Sequence, residues 1–241
     1  MVTRTEATFF PPIPEAKRWL DGVVFPADRP LLNLSQAAPA EPPPPALRQA
    51  MADALEVGDT HLYGPVLGLP ELRDALARDW AAHYGGAVAP DQVGITAGCN
   101  QAFAAVIAAL TDQGDEVILP VPWYFNHKMW LDMSGVHAVP LATGADLLPD
   151  AQTARALITD RTRAIAVTTP NNPGGVEYPA ETVQALYDLC RETGIKLILD
   201  ETYRDFDSRA GAPHALLSAS DRDETLIQLY SFSKVYRLTG H

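Results

Sequence analysis

The sequence predicts an α/β protein with a mostly parallel sheet covered by helices on both faces. Three observations carry this. From about residue 92, short apolar runs alternate with helix-patterned segments. The runs are continuously apolar, as expected for strands buried on both sides. The composition, 47% hydrophobic and 20% charged over 241 residues, is that of an ordinary globular chain able to bury a large core.

The elements follow in order. Residues 1–45 are rich in proline and end in "APAEPPPP", which favours extended backbone and predicts an arm or connector without helix. "PALRQAMADALEVG" has helical spacing and stops at Gly58. "LPELRDALARDWAAHYG" is a second helix, opened by Pro70 and closed by Gly85. "DTHLYGPVLG" between them is a loop. Then come the strand "QVGITA", the helix "NQAFAAVIAALTDQG", the strand "DEVILPVP", the helix "YFNHKMWLDMSG" and the strand "HAVPLA". "RAIAVTTP" (strand), "PAETVQALYDLCRETG" (helix), "KLILDETY" (strand) and "TLIQLYS" (strand) complete the pattern.

The net charge of −12 excludes a basic nucleic-acid footprint, and no window reaches membrane-spanning length. The N-terminus lacks a signal-peptide pattern, so a cytoplasmic protein is expected. Cys99 and Cys190 have no metal-ligand spacing, and no metal is expected; they read as free thiols in a reducing compartment.

In parallel sheets ligands bind beyond the carboxyl ends of the strands, so those ends hold the candidate residues. Gly98, Cys99 and Asn100 open a helix and offer backbone N–H groups to a phosphate or carboxylate, or form a simple tight turn. "WYF", Trp123 to Phe125, supplies rings for stacking on a ligand or for the core. "NNPGG" is a turn that presents the amide of Asn172. Asp200 follows a run of apolar strand residues and needs a cation or donors, from the protein or from a ligand. Lys234 lies beside Ser231 and Ser233, where a dry setting would lower its pKa and make it nucleophilic. Together these groups match the needs of one cofactor, pyridoxal phosphate: phosphate, ring, phenolate, pyridinium and aldehyde.

The motifs "YGPVLGLPELRDALA", "ITAGCNQA", "PVPWYF", "TTPNNPGG", "DETYRDF" and "SFSKVYRLTG" resemble, in that order, the class I/II aminotransferases of pyridoxal-phosphate fold type I, from about Asn33 to His241. The resemblance implies a mixed, mostly parallel seven-stranded sheet flanked by helices in a large domain at 46–241. Residues 1–45 would form an arm or a segment of a small domain. It implies that Lys234 forms the internal aldimine and shuttles the substrate proton, and that Asp200 pairs with the pyridine nitrogen. Asn172 and Tyr203 would bond the phenolic oxygen, Tyr124 would stack on the ring, and Gly98, Cys99, Asn100 and Ser231 would hold the phosphate. Tyr63 would reach the partner's phosphate in a homodimer.

The implied reaction moves an amino group between an amino acid and a 2-oxo acid. The same motifs also serve C–S lyases, decarboxylases and cyclases, and a catalytically incompetent fragment is a further alternative. Gly174 stands where the family has threonine, a change this turn is expected to tolerate. Ala37 replaces a glycine near the substrate carboxylate, and Arg237 replaces a small residue. Gly240 and His241 match the first two positions of the family's Gly-x-Arg. The expectation is a longer enzyme whose phosphate-binding arginine and small C-terminal domain lie beyond this sequence.

Overall fold

The computed structural model describes residues 3–239. Gly240 and His241, read above as the start of a Gly-x-Arg motif, lie outside the described residues. Among the described residues eight α-helices are formed: α1 (Arg4–Ala7), α2 (Pro12–Arg18), α3 (Pro45–Leu55), α4 (Pro70–Tyr84), α5 (Cys99–Leu110), α6 (Phe125–Ser134), α7 (Ala151–Arg155) and α8 (Ala180–Thr193). The strands are β1 (Glu116–Val121), β2 (His137–Ala142), β3 (Thr162–Thr168), β4 (Lys196–Asp200) and β5 (Leu226–Leu229). They form one sheet in the order β2-β1-β3-β4-β5, every neighbouring pair parallel.

Strand alternation divides the core in two. Ile118, Ile165, Val167, Leu197 and Leu199 face one side, packed with Leu186, Tyr187 and Cys190 of α8 and Ala154 of α7. Val117, Leu119, Ala164, Ala166 and Ile198 face the other, against Phe103 and Ile107 of α5 and Leu131 of α6. Both sheet faces are therefore covered, which is why the strand sequences read as unbroken apolar runs. The register pairs Thr168 with Asp200 and Asp200 with Leu229, so β3, β4 and β5 end level with one another.

Two expectations need correction. The sheet among the described residues has five strands, all parallel, rather than seven in a mixed sheet. "QVGITA" runs extended without forming a strand: Ile95 N–H donates to the Leu67 carbonyl, but no ladder continues from it. A strand is defined by its neighbour. Here a cavity of about 680 Å³ lies between residues 93–96 and the outer edge of β5. Gly68 makes the Ile95 contact possible, since a Cβ there would lie 2.5 Å from the Ile95 side chain.

The proline-rich arm is not free of helix. Pro12 occupies the start of α2, where a missing N–H costs nothing. Thr3 and Glu6 cap α1 reciprocally. Arg4 of α1 donates to the Ser134 carbonyl at 3.0 Å and to Gln113 at 2.7 Å, tying the arm to the end of α6.

Candidate active site

Asp200 ends β4 and is 2% exposed. His127 Nε2 lies 3.2 Å from its Oδ2, and the Thr202 backbone N–H and hydroxyl donate to Oδ1 at 3.0 and 2.7 Å. Burial pushes the carboxyl pKa up, but the His127 and Thr202 hydrogen bonds outweigh it, and the pKa settles below the ordinary carboxylate value. The site thus holds a dry, fixed anion. His127 is itself placed by its neighbours: its ring stacks on Phe103 at 4.0 Å and meets Tyr124 edge-on at 5.0 Å.

The other strand ends converge on the same place. After β1, the Tyr124 hydroxyl accepts from Asn126 at 2.8 Å, and Asn126 also reaches Asn100 at the start of α5. Burial, then the Asp200 charge, pushes the Tyr124 phenol up to about 12, so it stays neutral. After β3, Asn171 closes the "NNPGG" turn by accepting from Gly174 N–H at 2.8 Å, and its own N–H donates to the Val176 carbonyl. That turn presents Asn172, whose amide donates to the Tyr203 hydroxyl at 3.4 Å. Gly174 is more than tolerated. A Cβ there would sit 2.7 Å from Asn171 Oδ1 and 3.0 Å from Leu147 Cδ1, so the family's threonine does not fit this turn as it stands.

At the head of α5, Gly98 adopts φ +82°, a conformation that favours glycine, and nothing lies within 4 Å of its missing Cβ. The N–H groups of Cys99 and Asn100 make no hydrogen bond among the described residues. They leave an open, positively polarised helix end. The Cys99 thiol lies against Asp200 and Thr202, and burial, then Asp200, raises its pKa, keeping it protonated.

Beyond β5, residues 231–239 fold into a tight turn. Arg237 N–H donates to the Lys234 carbonyl at 3.1 Å, and the Thr239 hydroxyl donates to the Ser233 carbonyl at 2.9 Å. Ser231 is buried and hydrogen-bonded to Ser233. Lys234 is half-buried, which lowers its pKa. Its amine donates to the carbonyl of Ala37 and lies 5.5 Å from the Tyr203 ring centroid. Ala37 of the arm is thereby brought to the lysine. Tyr63 is fully exposed and contributes nothing to this cluster within one chain.

His127, Thr202 and Asn126 escaped sequence reasoning. His127 carried a legible signal: it stands one helical turn before Leu131 on the buried face of α6, where an imidazole needs a polar partner.

The chain matches the family model for class I and II aminotransferases over residues 29–241. It is 36% identical over 214 residues to an arginine–pyruvate transaminase of Pseudomonas aeruginosa, covering 87% of this chain and 53% of the relative. It is 35% identical over 175 residues to the aspartate/prephenate aminotransferase of Thermus thermophilus, covering 72% and 45%. Among solved structures, an alanine aminotransferase from Pyrococcus furiosus superposes with a TM-score of 0.82 at 31% identity, covering 95% of this chain and 57% of the other. A Thermus thermophilus aspartate aminotransferase with maleate gives 0.87 at 28%, covering 98% and 61%. The chain spans about half the length of the curated relatives it matches.

Proposed function

The chain belongs to the class I and II aminotransferases, and from that premise we propose that it carries the cofactor half of an enzyme moving an amino group between an amino acid and a 2-oxo acid. The observation that carries the reading is the placement of Asp200 and Lys234 at the same end of the sheet: the buried, ionised carboxylate closes β4, and the amine of lowered pKa follows the adjacent parallel strand β5 and lies over the Tyr203 ring.

The donor set fits pyridoxal phosphate. Asp200 suits a protonated ring nitrogen, Asn172 and Tyr203 a phenolic oxygen, and Tyr124 a ring face. The unbonded N–H groups of Cys99 and Asn100, with the Ser231 hydroxyl, suit a phosphate. When bound, that group supplies an aldehyde and an electron-withdrawing ring. The chain's own residues do the rest. Asp200 holds a negative charge that His127 and Thr202 keep from being neutralised. Lys234 Nζ, whose pKa burial lowers, serves as nucleophile and then as the base that takes and returns the proton of the substrate α-carbon. Tyr203 and Asn172 hold a hydrogen-bond pair beside that amine without adding charge.

The amino donor and the acceptor are small molecules, and the working unit is read as a homodimer. Supporting that, Tyr63 is fully exposed in a stretch that also exposes Leu62 and Val66. Among the described residues no helix is long and apolar enough to cross a membrane, and the acidic chain with two free cysteines suits the cytoplasm.

The test is direct. Pyridoxal phosphate is added, borohydride fixes it, and peptides are mapped; the adduct is expected on Lys234 and absent in Lys234→Ala. A panel of amino acids is then screened for release of the matching oxo acid. Trapping without any oxo-acid release would favour another reaction on the same fold.

A further inference from the structure

Arg237 is out of place twice. It replaces a small residue expected three positions after the lysine, and its φ of +58° is a conformation that non-glycine residues rarely adopt. An observed backbone outlier beside a reactive group invites the question of what it holds. Its guanidinium leaves the turn and pairs with Glu41 of the arm, Nη1 to Oε2 2.5 Å, and it also reaches the Pro42 carbonyl at 3.5 Å. Four residues earlier in the arm, the Ala37 carbonyl accepts from Lys234 Nζ. Two side chains from one turn therefore grip one short arm segment. The segment is stiff: Pro39 and Pro42–Pro45 fix its backbone, and Pro43 is buried. A stiff segment pinned at residues 41–42 has little freedom left at residue 37.

We propose that Arg237 and Glu41 are positioning residues for Lys234: their ion pair clamps the arm over the lysine turn and keeps the Ala37 carbonyl on the Lys234 amine. This rests on the reading of Lys234 as the reactive amine. The clamp limits where that amine points and shields it from solvent. A glycine at 237 would relieve the backbone conformation and abolish the grip together, whereas Glu41→Gln weakens the grip and leaves the turn's backbone as it is, so the two variants together separate the roles.

The experiment uses the full chain without cofactor. Acetylation of Lys234 by acetic anhydride is scored by mass spectrometry against the other lysines, together with amide exchange over residues 34–41. Arg237→Gly and Glu41→Gln are each expected to raise both readouts about fivefold, as befits loss of a partly exposed ion pair. Arg237→Gly should melt no lower than the parent protein. The reversed pair, Glu41→Arg with Arg237→Glu, should return both readouts toward the parent. Unchanged acetylation and exchange in the single variants would overturn the clamp. So would a response to Arg237→Gly that Glu41→Gln does not share, because the backbone turn alone would then be responsible. Borohydride trapping of pyridoxal phosphate on Lys234 is scored separately; its failure counts against the aminotransferase reading and leaves the arm readouts intact.

Discussion

The carboxylate of Asp200 shows how one residue's chemistry is set by its partners. It is almost fully buried, a setting that disfavours charge, yet it stays ionised because His127 and Thr202 supply three donors. His127→Leu is expected to cost about 1.5–3 kcal/mol at neutral pH, the usual worth of a hydrogen bond to a charged group. The sign follows from the lowered pKa. Asp200's contribution is complete above the unfolded-state carboxylate pKa and is lost as pH falls through the lower folded value. In His127→Leu the folded value rises, so the loss on acidification should be smaller and should end at higher pH, which urea unfolding between pH 3 and 7 would show. Gly174→Thr, which restores the family residue, should destabilise by about 1–3 kcal/mol through overpacking against Asn171 and Leu147. Adding Leu147→Ala should recover part of the loss in thermal melts. Asp200, Asn172 and Lys234 were legible in the sequence because a polar residue ending an apolar strand stands out by position. The tight fit of Gly174 was not, because it depends on Leu147 as well as on nearby Asn171, and His127 showed only its place on the buried face of α6, its partner Asp200 being far away in the chain.

Strands and helices were legible to the extent that their own residues decide them. β1 to β5 announce themselves as apolar runs, and α4, α5 and α8 carry both a periodic face and a stop signal. "QVGITA" misled because pairing belongs to two segments at once. The helix α2 was hidden by prolines that sit where a helix has no use for an N–H, and the four-residue α1, which holds no proline, was passed over with the proline-rich arm around it. α8 shows what an element contributes to the site. Leu186 and Tyr187 pack beneath β3 and β4, the strands that lead to Asn172 and Asp200. Leu186→Ala should cost about 2–5 kcal/mol in denaturant unfolding. Because the cofactor residues share that floor, pyridoxal phosphate affinity should fall with it.

At the scale of the whole molecule, the exposed apolar residues Val24, Leu32, Leu34, Leu62 and Val66 are too many for a surface that faces only water. Sedimentation should show concentration-dependent association, and Val66→Asp should weaken it. The net charge of −12 on each copy opposes that association, so added salt should strengthen it. The outer edge of β5, bordered by the cavity that separates it from residues 93–96, has a practical consequence for handling the protein. Unpaired backbone donors and acceptors along an apolar trough form a template on which any extended chain can crystallise its own hydrogen bonds. Concentrated stocks should therefore turn cloudy with time and gain the infrared band of intermolecular sheet, and dilution should slow this far more than cooling does.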